Sequence, residues 1–187
     1  MASPPTLLQI TAHSTPHQSD PPNAHEFYAA LGMLNVAWGR LEGHVIGNLL
    51  TLMNASGDIE PLPLAWEKRL DLWKRAFGKV PSLRVHKERA VAFLQEIIAA
   101  AEDRNLVAHA IWGEFVADAA EPTIKARRVR PRRGKENVKI VDVSDYHISL
   151  TLLRLGITEA NRLNYKMTEF TNLLNSVRPP PADARKF

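Results

Sequence analysis

Arg104, Asn105 and His109, in the run AEDRNLVAHAIWGEF, are the side chains of this 187-residue chain best suited to chemistry. On a helix, Asn105 and His109 stand one turn apart on one face. Arg104 and His109 are five apart, about 140° around the axis. An arginine is long enough to fold back across Asn105 and meet the imidazole. Histidine moves protons near neutral pH. The planar guanidinium of arginine pairs with two oxygens of one phosphate. The trio therefore suits acid–base work on a phosphoryl group. The same residue types suit a plainer arrangement, a helix terminus whose polar side chains satisfy one another, with Arg104 paired to Glu42 between two helices.

Four apolar periods supply the helices that would position these residues. In AHEFYAALGMLNVAWGRLEGHVIGNLLTLMN, Phe27, Leu31, Leu34, Trp38, Leu41, Val45, Leu49 and Leu52 recur at spacings of three and four and predict one long helix. Gly32, Gly39, Gly43 and Gly47 lie in the same stretch, and such glycines suggest that another helix approaches closely, from this chain or a second subunit. A shorter helix is expected in PLAWEKRLDLWKRAFG, with Trp66, Leu70, Trp73 and Phe77 on one face and Gly78 as its stop. The third runs from Pro81-Ser82 to Gly113, its buried side marked by Val91, Leu94, Ile98, Ala101, Asn105 and Ala108. Then the period changes. GEFVADA, TIKARRVR and NVKIVDV are short, rich in β-branched residues and separated by turn chemistry, which predicts a small β-meander over about 113–143. From about Ile148 the helical period returns through Leu152, Gly156, Ala160, Leu163, Met167, Phe170 and Leu174. The expected fold class is mainly α: a four-helix bundle with the β-meander inserted between the third and fourth helices. The expected domain spans 24–177, after a loose proline-rich arm (1–23) and before a disordered tail (178–187).

At this point the sequence resembles a family. The run RNLVAHAIW is similar to the RN-x-x-A-H-G-x-W type of bacterial HEPN-like proteins, with Ala110 where a glycine is common. WGRLEGHVIGNLL resembles the first-helix pattern of the same group, with Trp38 and Glu42 in the matching places. The resemblance covers about residues 25–177 apart from the β insertion. It implies a HEPN-like helical bundle, often dimeric, and for many members metal-independent RNase activity in toxin, phage-defence and CRISPR systems. It implies Arg104 and His109 as the working pair, with Asn105 holding the phosphate or the imidazole. One histidine per chain can hardly be both acid and base, so a homodimer that buries the 99–113 helix region and forms a composite site is implied. Glu42 is then the residue that pairs with Arg104 and fixes its direction. In some relatives a Tyr two residues after the His is modified by an antitoxin partner. Ile111 stands there in this chain, which argues against that control, and any antitoxin or protein partner stays unidentified. The alternative is a non-catalytic HEPN-like module that binds RNA or a protein, with Arg104 and His109 as a structural polar cluster.

The stretch KARRVRPRRGK, 125–135, holds seven cations and no acid. Taking those seven from the net charge of +4 leaves −3 for the rest. Lys125, Arg127, Arg128, Arg130, Arg132 and Arg133 could guide an RNA backbone toward His109. They would serve equally as a solvated hairpin that keeps an exposed edge from aggregating. No aromatic is interleaved with them, so base stacking is not indicated. Hydrophobic content of 45% and charged content of 24% are those of an ordinary globular chain. The absence of cysteine excludes disulfides and thiolate metal sites, and a cytoplasmic setting is expected. No apolar run approaches a membrane span, and no secretory signal is expected. His13, His17 and His25, near Asp20 and Glu26, are too loosely spaced for a metal site. No phosphate-binding glycine loop or nucleophile elbow is present, and no cofactor is expected.

Overall fold

The computed structural model describes residues 24–57, 60–116, 121–133 and 139–177. The expected arm (1–23), the expected tail (178–187), and with the arm His13 and His17, lie outside the described residues. The described chain is mainly helical. Its order is α1 (Ala24–Ser56), α2 (Trp66–Lys79), a 3-10 segment (Pro81–His86), α3 (Lys87–His109), strands β1 (Ile111–Val116), β2 (Thr123–Arg133) and β3 (Lys139–Ser149), and α4 (Leu150–Val177). No helix among the described residues is long and apolar enough to cross a membrane.

Hydrophobic burial holds the helices together. Leu34, Trp38, Leu41, Val45, Leu49 and Leu52 of α1 form its buried stripe, and Leu163, Met167, Phe170 and Leu174 of α4 pack in the same core. α1 and α4 run parallel. Glu26 pairs with Arg154 near their starts, Asn164 donates to the Ala37 carbonyl at 2.8 Å, and Thr171 donates to Asn48 at 3.1 Å further along. α3 runs antiparallel to α4, tied by Arg89–Glu169 and Glu96–Lys166. Phe170 of α4 stacks on Phe93 of α3 and meets Trp73 of α2 edge-on, which centres the aromatic core away from the sheet.

Several expected boundaries shift. α2 runs through Gly78 to Lys79, since Val80 takes the extended conformation that ends it. The stretch from Pro81 opens as a 3-10 segment, so α3 proper starts at Lys87. α3 stops at His109, not at Gly113: Ala110 is extended, and Ile111 and Trp112 already pair with Arg127 and Ala126 of β2. The β-branched and aromatic pair thus enters the ladder immediately before the glycine, and α3 ends four residues short of it. α3's buried side is also rotated from the expected one. Ala90, Phe93, Leu94, Ile97, Ala101 and Val107 are buried, whereas Ile98 and Ala108 are exposed. On α4, Leu153 is buried and Leu152 exposed.

The three strands form an antiparallel meander, β1-β2-β3. Ile124, Ala126 and Ile148 face the helices and are buried, and Trp112 and Phe115 meet Phe27 edge-on. Gly113 lies where the β1–β2 register shifts, and a Cβ there would stand 3.4 Å from that of Lys125. β1 ends its pairing at Arg127. Arg128–Arg133 and Lys139–Ser144 therefore continue as a two-stranded ribbon. The sheet hands over to α4 through two caps: Ser149 Oγ accepts the Leu152 N–H (3.1 Å), and Glu121 accepts the Thr151 N–H (2.8 Å).

The glycines of α1 meet no second helix of this chain. Gly32, Gly39, Gly43 and Gly47 are exposed, and a Cβ on any of them would find nothing within 4 Å. Each costs the helix about 1 kcal/mol relative to alanine, with no compensation among the described residues.

Candidate functional site

α3 carries Arg104, Asn105 and His109 on its last two turns, the point where the helical core gives way to the sheet. Arg104 bonds across to α1. Its Nη2 stands 3.1 Å from Glu42 Oε1, and its Nη1 donates to Asn105 Oδ1 at 3.1 Å. Trp38 lies beneath, its ring centroid 6.0 Å from the Arg104 guanidinium carbon. The Trp38 indole N–H donates to the same Glu42 oxygen at 3.0 Å. One carboxylate oxygen therefore holds a buried indole and a guanidinium together. Glu42 and Trp38 are one helical turn apart, and this spacing is what lets them share the arginine.

The expected Arg104–His109 contact does not form among the described residues; both bonds of Arg104 go to Glu42 and Asn105. The 140° between the two positions puts the imidazole on another flank, and the acidic partner on α1 outcompetes it. His109 is exposed, with no hydrogen bond among the described residues. Arg104 is intermediate, its side chain 26% exposed, and its Nε–H is buried with no partner. A buried donor left unbonded is costly, and the exposed quarter of the Arg104 side chain is the part an arriving anion reaches. The site thus offers a fixed cation with one unused donor and, on the same helix end, a free-standing imidazole.

Beside Arg104 lies a cavity of about 480 Å3 between α1, α3 and α4. Leu34 and Trp38 contribute from α1, Ala100 and Arg104 from α3, and Leu153 and Gly156 from α4. The sequence reading did not anticipate it. The signal was present in the small residues Ala99, Ala100, Gly156 and Ala160, which leave room where larger ones would close the gap. Trp38 is buried, as its place in the apolar stripe predicts, and its N–H also positions the Glu42 carboxylate.

The register of the sheet divides the basic stretch. Successive strand residues alternate faces. Lys125 and Arg127 are exposed on the outer face, where β3 sets His147 and Asp145 opposite them. Arg127 grips Asp145 with two bonds, 2.7 and 3.1 Å, and that guanidinium holds the Asp145 carboxyl below its ordinary range. With Trp112 these residues border a shallow hollow of about 510 Å3. Arg128 belongs to the opposite face, the one that buries Ile124 and Ala126. Since Ile111 pairs with Arg127, the ribbon from Arg128 onward runs past the end of α3 that bears His109. No cluster of three or more potential metal ligands occurs among the described residues. Compared with known proteins, the chain matches no family model, no curated protein and no solved structure.

Proposed function

We propose that this chain is a HEPN-like, metal-independent endoribonuclease, acting as a toxin or defence effector and cleaving RNA at a composite site in a homodimer. The observation that carries the reading is Arg104 at the end of α3. It is held by Glu42 and Asn105, braced on Trp38, and left with a buried, unused Nε–H within a turn and a half of an exposed His109. In the reaction, an imidazole takes the proton of the ribose 2′-OH, and the 2′-oxygen attacks phosphorus. The bond to the 5′-oxygen breaks, that oxygen takes a proton from the second imidazole, and a 2′,3′-cyclic phosphate remains. Arg104 stabilises the charge that builds on the phosphorane oxygens, and its preset direction avoids reorganisation at that moment. Lys125, Arg127, Arg128, Arg130, Arg132 and Arg133 supply the sequence-independent attraction for the RNA backbone.

The second reading is a non-catalytic HEPN-like module that binds RNA or a protein partner. It draws on the same Arg104–Glu42 pair, since that carboxylate offsets the arginine's charge and ties α1 to α3. RNA incubated with purified protein in EDTA separates the two. Cleavage that leaves 2′,3′-cyclic ends, lost in folded Arg104→Ala and His109→Ala variants, supports the nuclease. Intact RNA with wild-type protein, together with a large loss of stability in Arg104→Ala, supports the module.

A further inference from the structure

The solvent face of α1 carries a stripe of small and apolar residues. At about 100° per residue, Ala29, Gly32, Val36, Gly39, Gly43, Gly47 and Leu50 fall within roughly 80° of arc, directly opposite the buried stripe. Val36 is 57% and Leu50 52% exposed. Helix-weakening glycines with open space above them and large apolar side chains in solvent are both unfavourable in an isolated chain. A close-packed second helix would account for both.

We propose that the occupant is α1 of a second copy, packed antiparallel. The stripe is self-complementary about a point between Gly39 and Arg40. A two-fold axis there sets Val36 against Gly43 of the partner copy, Leu50 against Ala29, and Gly32 against Gly47. Every large residue of the stripe meets a small one, as an isologous contact requires. The helix has 33 residues. That is about 50 Å of length by roughly 10 Å of width. Two copies then bury on the order of 1,000 Å2, the lower bound for a stable specific interface.

The direction of pairing rests on the proposed function. Glu42 lies about 100° from the centre of the stripe and Trp38 about 140° from it, so the Arg104 held between them sits behind the seam rather than in it. An antiparallel two-fold brings both Glu42–Arg104 pairs to the same flank. A parallel pairing would leave them on opposite flanks.

The chain contains no cysteine, so single introduced thiols report cleanly. Under mild oxidation Gly39→Cys, beside the axis, should cross-link to its own copy. Gly32→Cys lies about 22 Å from its own copy along the seam, beyond disulfide reach, but should cross-link when mixed with Gly47→Cys. Gly43→Leu should stay folded, because its position is open in the monomer, and should weaken the dimer roughly tenfold or more in sedimentation equilibrium. A wild-type monomer at every concentration tested, a dimer untouched by Gly43→Leu, or self-cross-linking of Gly32→Cys overturns the antiparallel seam. A dimer that cross-links as expected yet cleaves no RNA leaves the seam and overturns the nuclease.

Discussion

At the scale of the residue, Arg104 and His109 differ in what each does for the fold. Arg104 is bonded to two side chains and braced on a third, whereas His109 stands in solvent at the helix end. Arg104→Ala strips Glu42 of its countercharge and Asn105 of its donor, and should cost about 1–2 kcal/mol of stability. His109→Ala should change stability by less than about 0.5 kcal/mol, as surface substitutions do. Urea midpoints of the two variants test this pair. Equal losses would mean that His109 is packed and that its loss of activity, if any, reports on folding. Glu42→Gln separates charge from shape. The amide still accepts the Trp38 indole N–H but no longer offsets Arg104, so folding should hold while the affinity for phosphate-bearing ligands changes. A binding titration with a short RNA reads that difference.

At the scale of the element, α3 and α4 are clamped by a charge cluster at the rim of the cavity. Lys166 donates to both oxygens of Glu96, and Arg162 bridges Glu96 and Glu159. The Lys166 bonds hold the Glu96 carboxyl below its usual range, and Arg162 does the same for Glu159. A depressed carboxyl pKa means stability that is whole above the unfolded value, about 4.3, and is lost as pH falls through the lower folded value. The melting temperature should therefore fall between pH 5 and pH 3 (a range taken from that reference value). Glu96→Gln should flatten this acid limb, and added salt should mute it because the groups are partly exposed. An acid limb of unchanged slope in Glu96→Gln would place the lost stability elsewhere. Much of this level was legible in the sequence. The helical periods and the meander order follow from apolar spacing and β-branched runs. Less legible were the end of α3 and its buried side. Both depend on partners distant in the chain: Ile111 and Trp112 pair with Arg127 and Ala126, and packing against the other helices buries Ile97 and leaves Ile98 exposed. The same limit applies to the site. The RN…H spacing and Glu42 could be read directly, but the choice of Glu42 over His109 as Arg104's partner depended on where α1 lies.

At the scale of the whole molecule, the proposed reaction and the single histidine of the site set a stoichiometry. A composite site needs one imidazole as base and another as acid, and each protomer supplies one. A protomer acting alone would need His109 for both steps in one turnover. The two cases differ when wild type is mixed with His109→Ala protein. His109 is exposed at the end of α3, away from the buried core, so the variant should fold and exchange into dimers as wild type does. With equal amounts and free exchange, about one quarter of isologous dimers carry two imidazoles. Cleavage should then fall to roughly a quarter of that of an equal total of wild type, and should follow the square of the wild-type fraction. Independent protomers would instead give a linear fall, to about one half. The cations of the ribbon must not be altered in this experiment, because they govern how much RNA is bound rather than how it is cut. A linear response would exclude the composite site even if cleavage itself were metal-free. A quadratic response tied to His109, with equal dimer content across the series, would fix both imidazoles in one reaction.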